Sequence, residues 1–206
     1  VDVGEDTLAP LTGTLAIHNR RIAGTVLWPL LPGASLTADA WADFSGPDLR
    51  ADARAKLAEF QITDPDLLAN TFSVLQGHAI TGFFAAGARV SVEHGRVTPY
   101  ITFSARQASA SNKQYDASAD FNGAVVINSI DPVSTPPDQW ITIPKAHLGK
   151  LQVSNGQVRF RVENLRSILV ERTDFGWAGG TLYSHQANKR IALALPAGMP
   201  RASIAA

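Results

Sequence analysis

Residues 36–44 read LTADAWADF and residues 49–57 read LRADARAKL. In the first stretch Leu36, Ala38, Ala40, Ala42 and Phe44 take every second position, with Thr37, Asp39, Trp41 and Asp43 between them. In the second, Leu49, Ala51, Ala53, Ala55 and Leu57 alternate with Arg50, Asp52, Arg54 and Lys56. Period two puts alternate side chains on opposite faces of a strand. The residue types of 49–57 also suit a helix. A helix, however, would scatter the charges around its cylinder, whereas a strand separates them cleanly. Both stretches are therefore predicted strands with one dry and one wet face, the pattern of antiparallel pairing.

The same rhythm extends outward. At 117–127, Ala117, Ala119, Phe121, Gly123, Val125 and Ile127 share one face; at 158–163, Val158, Phe160 and Val162 alternate with Arg159, Arg161 and Glu163. Gly13, Gly24, Gly95, Gly149, Gly156 and Gly180 each stand before a strand-like run, where a tight turn needs positive φ. Asn155-Gly156, between residues 151–153 and 158–160, predicts a hairpin. Turns are also predicted at 18–21 and 93–95. Short turns between successive strands give a meander. No alternation of strands with helices of 10–15 residues supports a doubly wound nucleotide fold.

One helix is predicted near 64–76. Asp64 is its N-cap, Pro65 its first residue, Leu68, Phe72 and Leu75 its apolar stripe, and Gly77 its stop. It would cap an end or cover an edge of the sheet. Residues 131–138 (DPVSTPPD) form the clearest loop, since their prolines cannot serve a central strand. Composition does not shift across it, so 1–206 reads as a single β-rich domain, with 131–138 the one place for a sub-division.

The chain has 206 residues, 45% hydrophobic and only 17% charged. That excludes a disordered chain. Eighteen basic residues balance eighteen acidic ones, which disfavours nucleic acid as a partner. Cysteine is absent, excluding disulfides, Cys-ligated metal and thiol chemistry. No apolar stretch is long enough to span a bilayer as a helix.

The search for chemistry returns little. His18, His78, His94, His147 and His185 show no metal-site spacing. No nucleophile elbow, P-loop or dinucleotide fingerprint occurs. Asp39 and Asp43 share a strand face but stand roughly 13 Å apart, too far for paired-carboxylate work. The chain reads as no enzyme, with no catalytic, metal or cofactor residues. What remains is much one-sided sheet whose dry face must be covered. A second sheet would make a compact sandwich. Alternatively the sheet curls into an open trough that meets an apolar ligand.

The stretch 174–184 (DFGWAGGTLYS), followed by 190–196 (RIALALP), resembles a recurring segment of the YdbH-like family, in the AsmA-like group of bacterial envelope proteins. Phe175, Gly176, Trp177, Gly179, Gly180, Leu182, Leu195 and Pro196 carry the resemblance, over about 25 residues that open a strand and end an apolar one. It implies an elongated, curved antiparallel meander with a hydrophobic groove. It also implies passage of phospholipid between inner and outer membranes, in the periplasm. The chain would then be an internal fragment of a longer protein anchored in the inner membrane. Some members carry the label "dicarboxylate transport", but a small dianion needs converging cationic donors, and no cationic cluster stands out here.

Under that resemblance the groove lining comprises Val125, Ile127, Val158, Phe160, Val162, Leu182, Ile191 and Leu193, with phospholipid as partner. Ordinary core packing and a purely structural envelope domain remain the alternatives, and the oligomeric state is open. A compact chain of this size should expose roughly 9,000 Å², a trough clearly more.

Overall fold

The computed structural model describes residues 10–164 and 166–192. Strands take up 75% of the described residues. They are β1 (Thr12–His18), β2 (Arg21–Leu31), β3 (Ala34–Asp43), β4 (Arg50–Ile62), β5 (His78–Glu93), β6 (Arg96–Asn112), β7 (Ala117–Ile127), β8 (Ser129–Ile130), β9 (Val133–Ser134), β10 (Gln139–Leu148), β11 (Leu151–Asn164), β12 (Ser167–Trp177) and β13 (Gly180–Ala192). Eleven of them form one antiparallel sheet in the order β1-β2-β3-β4-β5-β6-β7-β10-β11-β12-β13, and it does not close into a barrel. Each of these strands pairs with the next along the chain. The two strands outside it, β8 and β9, make only a short two-stranded ribbon, so among the described residues no second sheet covers the first and the sandwich does not form. The chain exposes 14268 Å², well above the compact value. Among the described residues the buried apolar side chains are Ala34, Ile62, Pro99, Ala108 and Leu169.

The strands at 36–44, 49–57 and 117–127 stand where the alternation places them, within a residue or two at most ends. The turn at 18–21 is a two-residue hairpin with Asn19 and Arg20 both at positive φ, as right-handed strand twist demands. His94 and Gly95 do the same between β5 and β6. Gly13 and Gly24, by contrast, lie inside β1 and β2 and open no strand.

The hairpin expected at Asn155-Gly156 does not form. The reversal comes earlier, at Gly149 and Lys150, and β11 runs unbroken through Gly156. Asn155 keeps the positive φ of a turn residue (49°), but the extra residue makes a bulge against β12 instead. Gly156 is buried beneath the Phe175 ring, whose Cδ1 would lie 2.6 Å from an added Cβ.

The helix is shorter than its pattern. Asp64 accepts the Asp66 N–H at 3.0 Å, but only Leu67–Thr71 (α1) is α-helical. Phe72 turns extended (φ −125°, ψ 113°), and a 3₁₀ turn, Ser73–Leu75, follows. The segment bridges the neighbouring strands β4 and β5, so it caps a sheet end. The 131–138 loop, with β8 and β9 in or beside it, leaves the sheet continuous, because β7 pairs directly with β10. Thr135 fills a notch beside β11: its N–H donates to the Val162 carbonyl and its hydroxyl accepts the Val162 N–H.

A candidate lipid-contact face

Directly opposed residues in antiparallel strands share a face, so the register sorts the whole sheet. One row reads Ile17, Ile22, Ala42, Ala51, Val92, Val97. The next reads Leu15, Gly24, Ala40, Ala53, Val90, Pro99. Further along lie Trp28, Leu36, Leu57, Ala86, Phe103 and Val125, then Phe84, Ala105, Gly123, Ile141, Val158 and Thr173. No charged residue stands in any of these rows. The opposite face holds the ions: Asp39, Arg54 and Arg89 form one row, and Arg21, Asp43 and Arg50 another.

A line of bulges crosses this sheet. Register shifts fall between Leu57 and Phe60, Thr81 and Phe83, Ala105 and Ala108, Thr142 and Lys145, and Ser154 and Gln157. Each bulge bends its strand, and aligned bends crease a sheet. The deepest burial lies along the crease: Ile62 is 2% exposed and Ala108 1%, with Gly82 between them in the ladder. Phe60 and Phe84 meet there at 6.3 Å between ring centroids. On the apolar face of β1–β5 lies a concavity of about 580 Å³, lined by Leu15, Ile22, Val26, Ala40, Val90 and Val92 among others. That size is typical of small-molecule sites.

The residues singled out in the sequence fall along a different stretch of the same face. Val125 and Ile127 pair with Phe103 and Ile101, and Val158 with Ile141. Phe160 pairs with Val170, Val162 with Ile168, and Leu182 with Phe175. Ile191 is opposite Ile168 in the backbone ladder. Leu193 lies outside the described residues, as do Leu195 and Pro196 of the quoted motif. None of the described ones borders the concavity, whose walls the sequence reading did not name. Their signal was the Ala-rich alternation of 36–44 and 49–57, where small side chains leave space above the strands.

The polar face is held by local ion pairs. Asp52 is only 6% exposed and accepts Arg54 Nε at 2.9 Å and Arg89 Nε at 2.8 Å. The Arg89 hydrogen bond holds its carboxyl below the usual range, with desolvation opposing. Arg21 stacks over Trp41 at 4.9 Å. His147 sits between Ser118 Oγ (3.2 Å) and Asp116 Oδ1 (3.3 Å), but the Asp116 side chain is 73% exposed and largely hydrated. Among the described residues no group of His, Asp and Glu could hold a metal ion, and no helix is long and apolar enough to cross a membrane.

No curated protein and no solved structure matches the chain significantly. A family model does, over residues 2–192: YdbH-like, described as intermembrane phospholipid transport protein YdbH. With nearly the whole chain matched, this open, one-sided sheet belongs to the YdbH-like family.

Proposed function

We propose that the apolar face carries phospholipid acyl chains during passage between the inner and outer membranes of a bacterial envelope, with the creased sheet as a groove. The observation that supports this reading most directly is the set of apolar rows, which no second layer covers among the described residues and which is hollowed over β1–β5. A hydrocarbon tail gains about 0.8 kcal/mol for each methylene it buries. Such a face asks for no directional bond, so a tail can slide from one row to the next at similar free energy. Alanine and valine suit that task better than a deep pocket that would hold one lipid. In this reading Val125, Ile127, Val158, Phe160, Val162 and Leu182 continue the lining beyond the concavity. The periplasm is the compartment in which such a conduit works, the parent chain being anchored in the inner membrane.

The test uses neighbours that face opposite ways. A photoreactive benzophenone side chain at Ala53 or Val90 should capture phospholipid on irradiation in cells, read by mass spectrometry of the purified chain. The same group at Arg54 or Ser91 should capture little. Equal capture on both faces, or none on the apolar one, overturns the reading.

A further inference from the structure

The strand ends form two rims of different chemistry. One carries the turns at 19–20, 44–49 and 94–95 and the connection 128–138. The other carries 32–33, 63–77, 113–116, 149–150 and 178–179. On this second rim three hairpin tips come together at the β7–β12 end. The Gly149 N–H donates to the Asp116 carbonyl at 2.9 Å, joining two of them. Leu148 faces Leu151 across the second tip, and His147, Gln152 and Trp177 line one basin that brings in the third.

These tips expose large side chains: Tyr115 at 62%, Leu148 at 58%, Trp177 at 48% and Leu151 at 43%. Lys113 and Lys150 stand within the same turns. Asp116 is the carboxylate of these tips, and it lies 3.3 Å from His147 Nε2. The first rim differs. Its turns also expose Phe44, Leu49 and Ile130, but they hold no Tyr or Trp, and Arg20, Arg21, Arg50 and Arg96 are matched there by Asp43, Asp48, Glu93 and Asp131.

We infer that the tips at 113–116, 149–150 and 178–179 are a docking surface for an anionic lipid bilayer. Trp and Tyr carry an apolar body and a polar edge, which suits the headgroup boundary. Leu148 and Leu151 supply the apolar area that enters it. Lys113 and Lys150 face the lipid phosphates, whereas the charges of the opposite rim cancel one another and give it no comparable pull. Leu148 and Leu151 stand with Ala117 in the end row of the apolar face, so this surface is the rim of that face, at the opposite end of the sheet from the hollow over β1–β5. It would seat one edge of the sheet at a membrane, where a lipid could be handed over.

The test is flotation of the chain with vesicles. With phosphatidylethanolamine–phosphatidylglycerol vesicles the chain should float, and raised salt should release it. Lys113→Gln and Lys150→Gln should each weaken binding about fivefold, and Leu148→Ser with Leu151→Ser should abolish it. Lipids brominated in the upper acyl chain should quench tryptophan emission, and Trp177→Leu should remove that quenching while the chain still floats. Circular dichroism of each variant confirms that the sheet is intact. Failure to float, flotation indifferent to the rim substitutions, or equal binding to neutral phosphatidylcholine vesicles overturns the inference. Capture of phospholipid at Ala53 without flotation leaves the lipid-carrying reading standing and removes this one alone.

Discussion

Gly82 offers the sharpest test of the crease. Its φ is +128°, a conformation that L side chains rarely adopt. A Cβ there would lie 2.5 Å from Ala108 Cα, and 2.9 Å from both the Ala108 Cβ and the Gln107 carbonyl oxygen. Those obstacles are mostly backbone and cannot swing aside. The dihedral costs about 1–2 kcal/mol in an alanine. Forcing a methyl group into packed surroundings adds about 1–3 kcal/mol. Gly82→Ala should therefore destabilise the chain by about 2–5 kcal/mol. Gly33→Ala is the control: φ is +79°, but nothing lies within 4 Å of the added carbon, so only the dihedral cost of about 1–2 kcal/mol applies. Urea unfolding followed by circular dichroism separates the two. At a slope of about 2–3 kcal/mol per molar, Gly82→Ala should unfold roughly 1 M earlier than Gly33→Ala. If the two midpoints coincide, the strands are not pressed together at Gly82 and the crease is not what bends the sheet.

Three more outcomes follow from the same geometry. Gly156→Ala should displace the Phe175 ring and cost about 1–3 kcal/mol, read as a lower urea midpoint, whereas relief by Phe175→Ala in the same chain would identify the ring as the obstacle. Asp52→Asn should lower stability by about 1 kcal/mol at neutral pH, a small figure because Arg54 and Arg89 stay more than half exposed. The Asp52 carboxyl is held below its ordinary range, so its contribution is present above that range and is lost as pH falls through the lowered value. The wild type and Asp52→Asn should accordingly converge in acid, as thermal melts across a pH series would record. Ala53→Glu, in the row with Ala40 and Val90, should sharply reduce the phospholipid that co-purifies with the chain, while Arg54→Glu, one residue on and facing the other way, should not.

Much of the architecture is local and was therefore legible. Alternation at 36–44, 49–57 and 117–127 assigns each side chain to a face without reference to a partner, because the strand period is two. The turns at 19–20 and 94–95 are legible for the same reason: positive φ is a property of the residues themselves. The motif around Trp177 pointed to the family for which the chain-long match stands.

What the sequence leaves open depends on partners distant along the chain. Asn155-Gly156 has the residues of a hairpin, yet whether it turns or bulges rests on β10 and β12 lying on either side of it. The helix pattern from Asp64 to Leu75 breaks at Phe72, because the segment must rejoin the sheet beside β4 within a few residues. Asp52 reads like any strand carboxylate until Arg89, 37 residues on, reaches it. Above all, the hollow on β1–β5 and the meeting of three hairpin tips on one rim come from register and strand bending, which pairing sets. By itself the sequence determined which side of the ribbons at 36–44, 49–57, 117–127 and 158–163 is oily; only the assembled sheet decided that this side would be creased, hollowed and, among the described residues, left uncovered, since covering requires a second layer and the meander places every long described strand in the first.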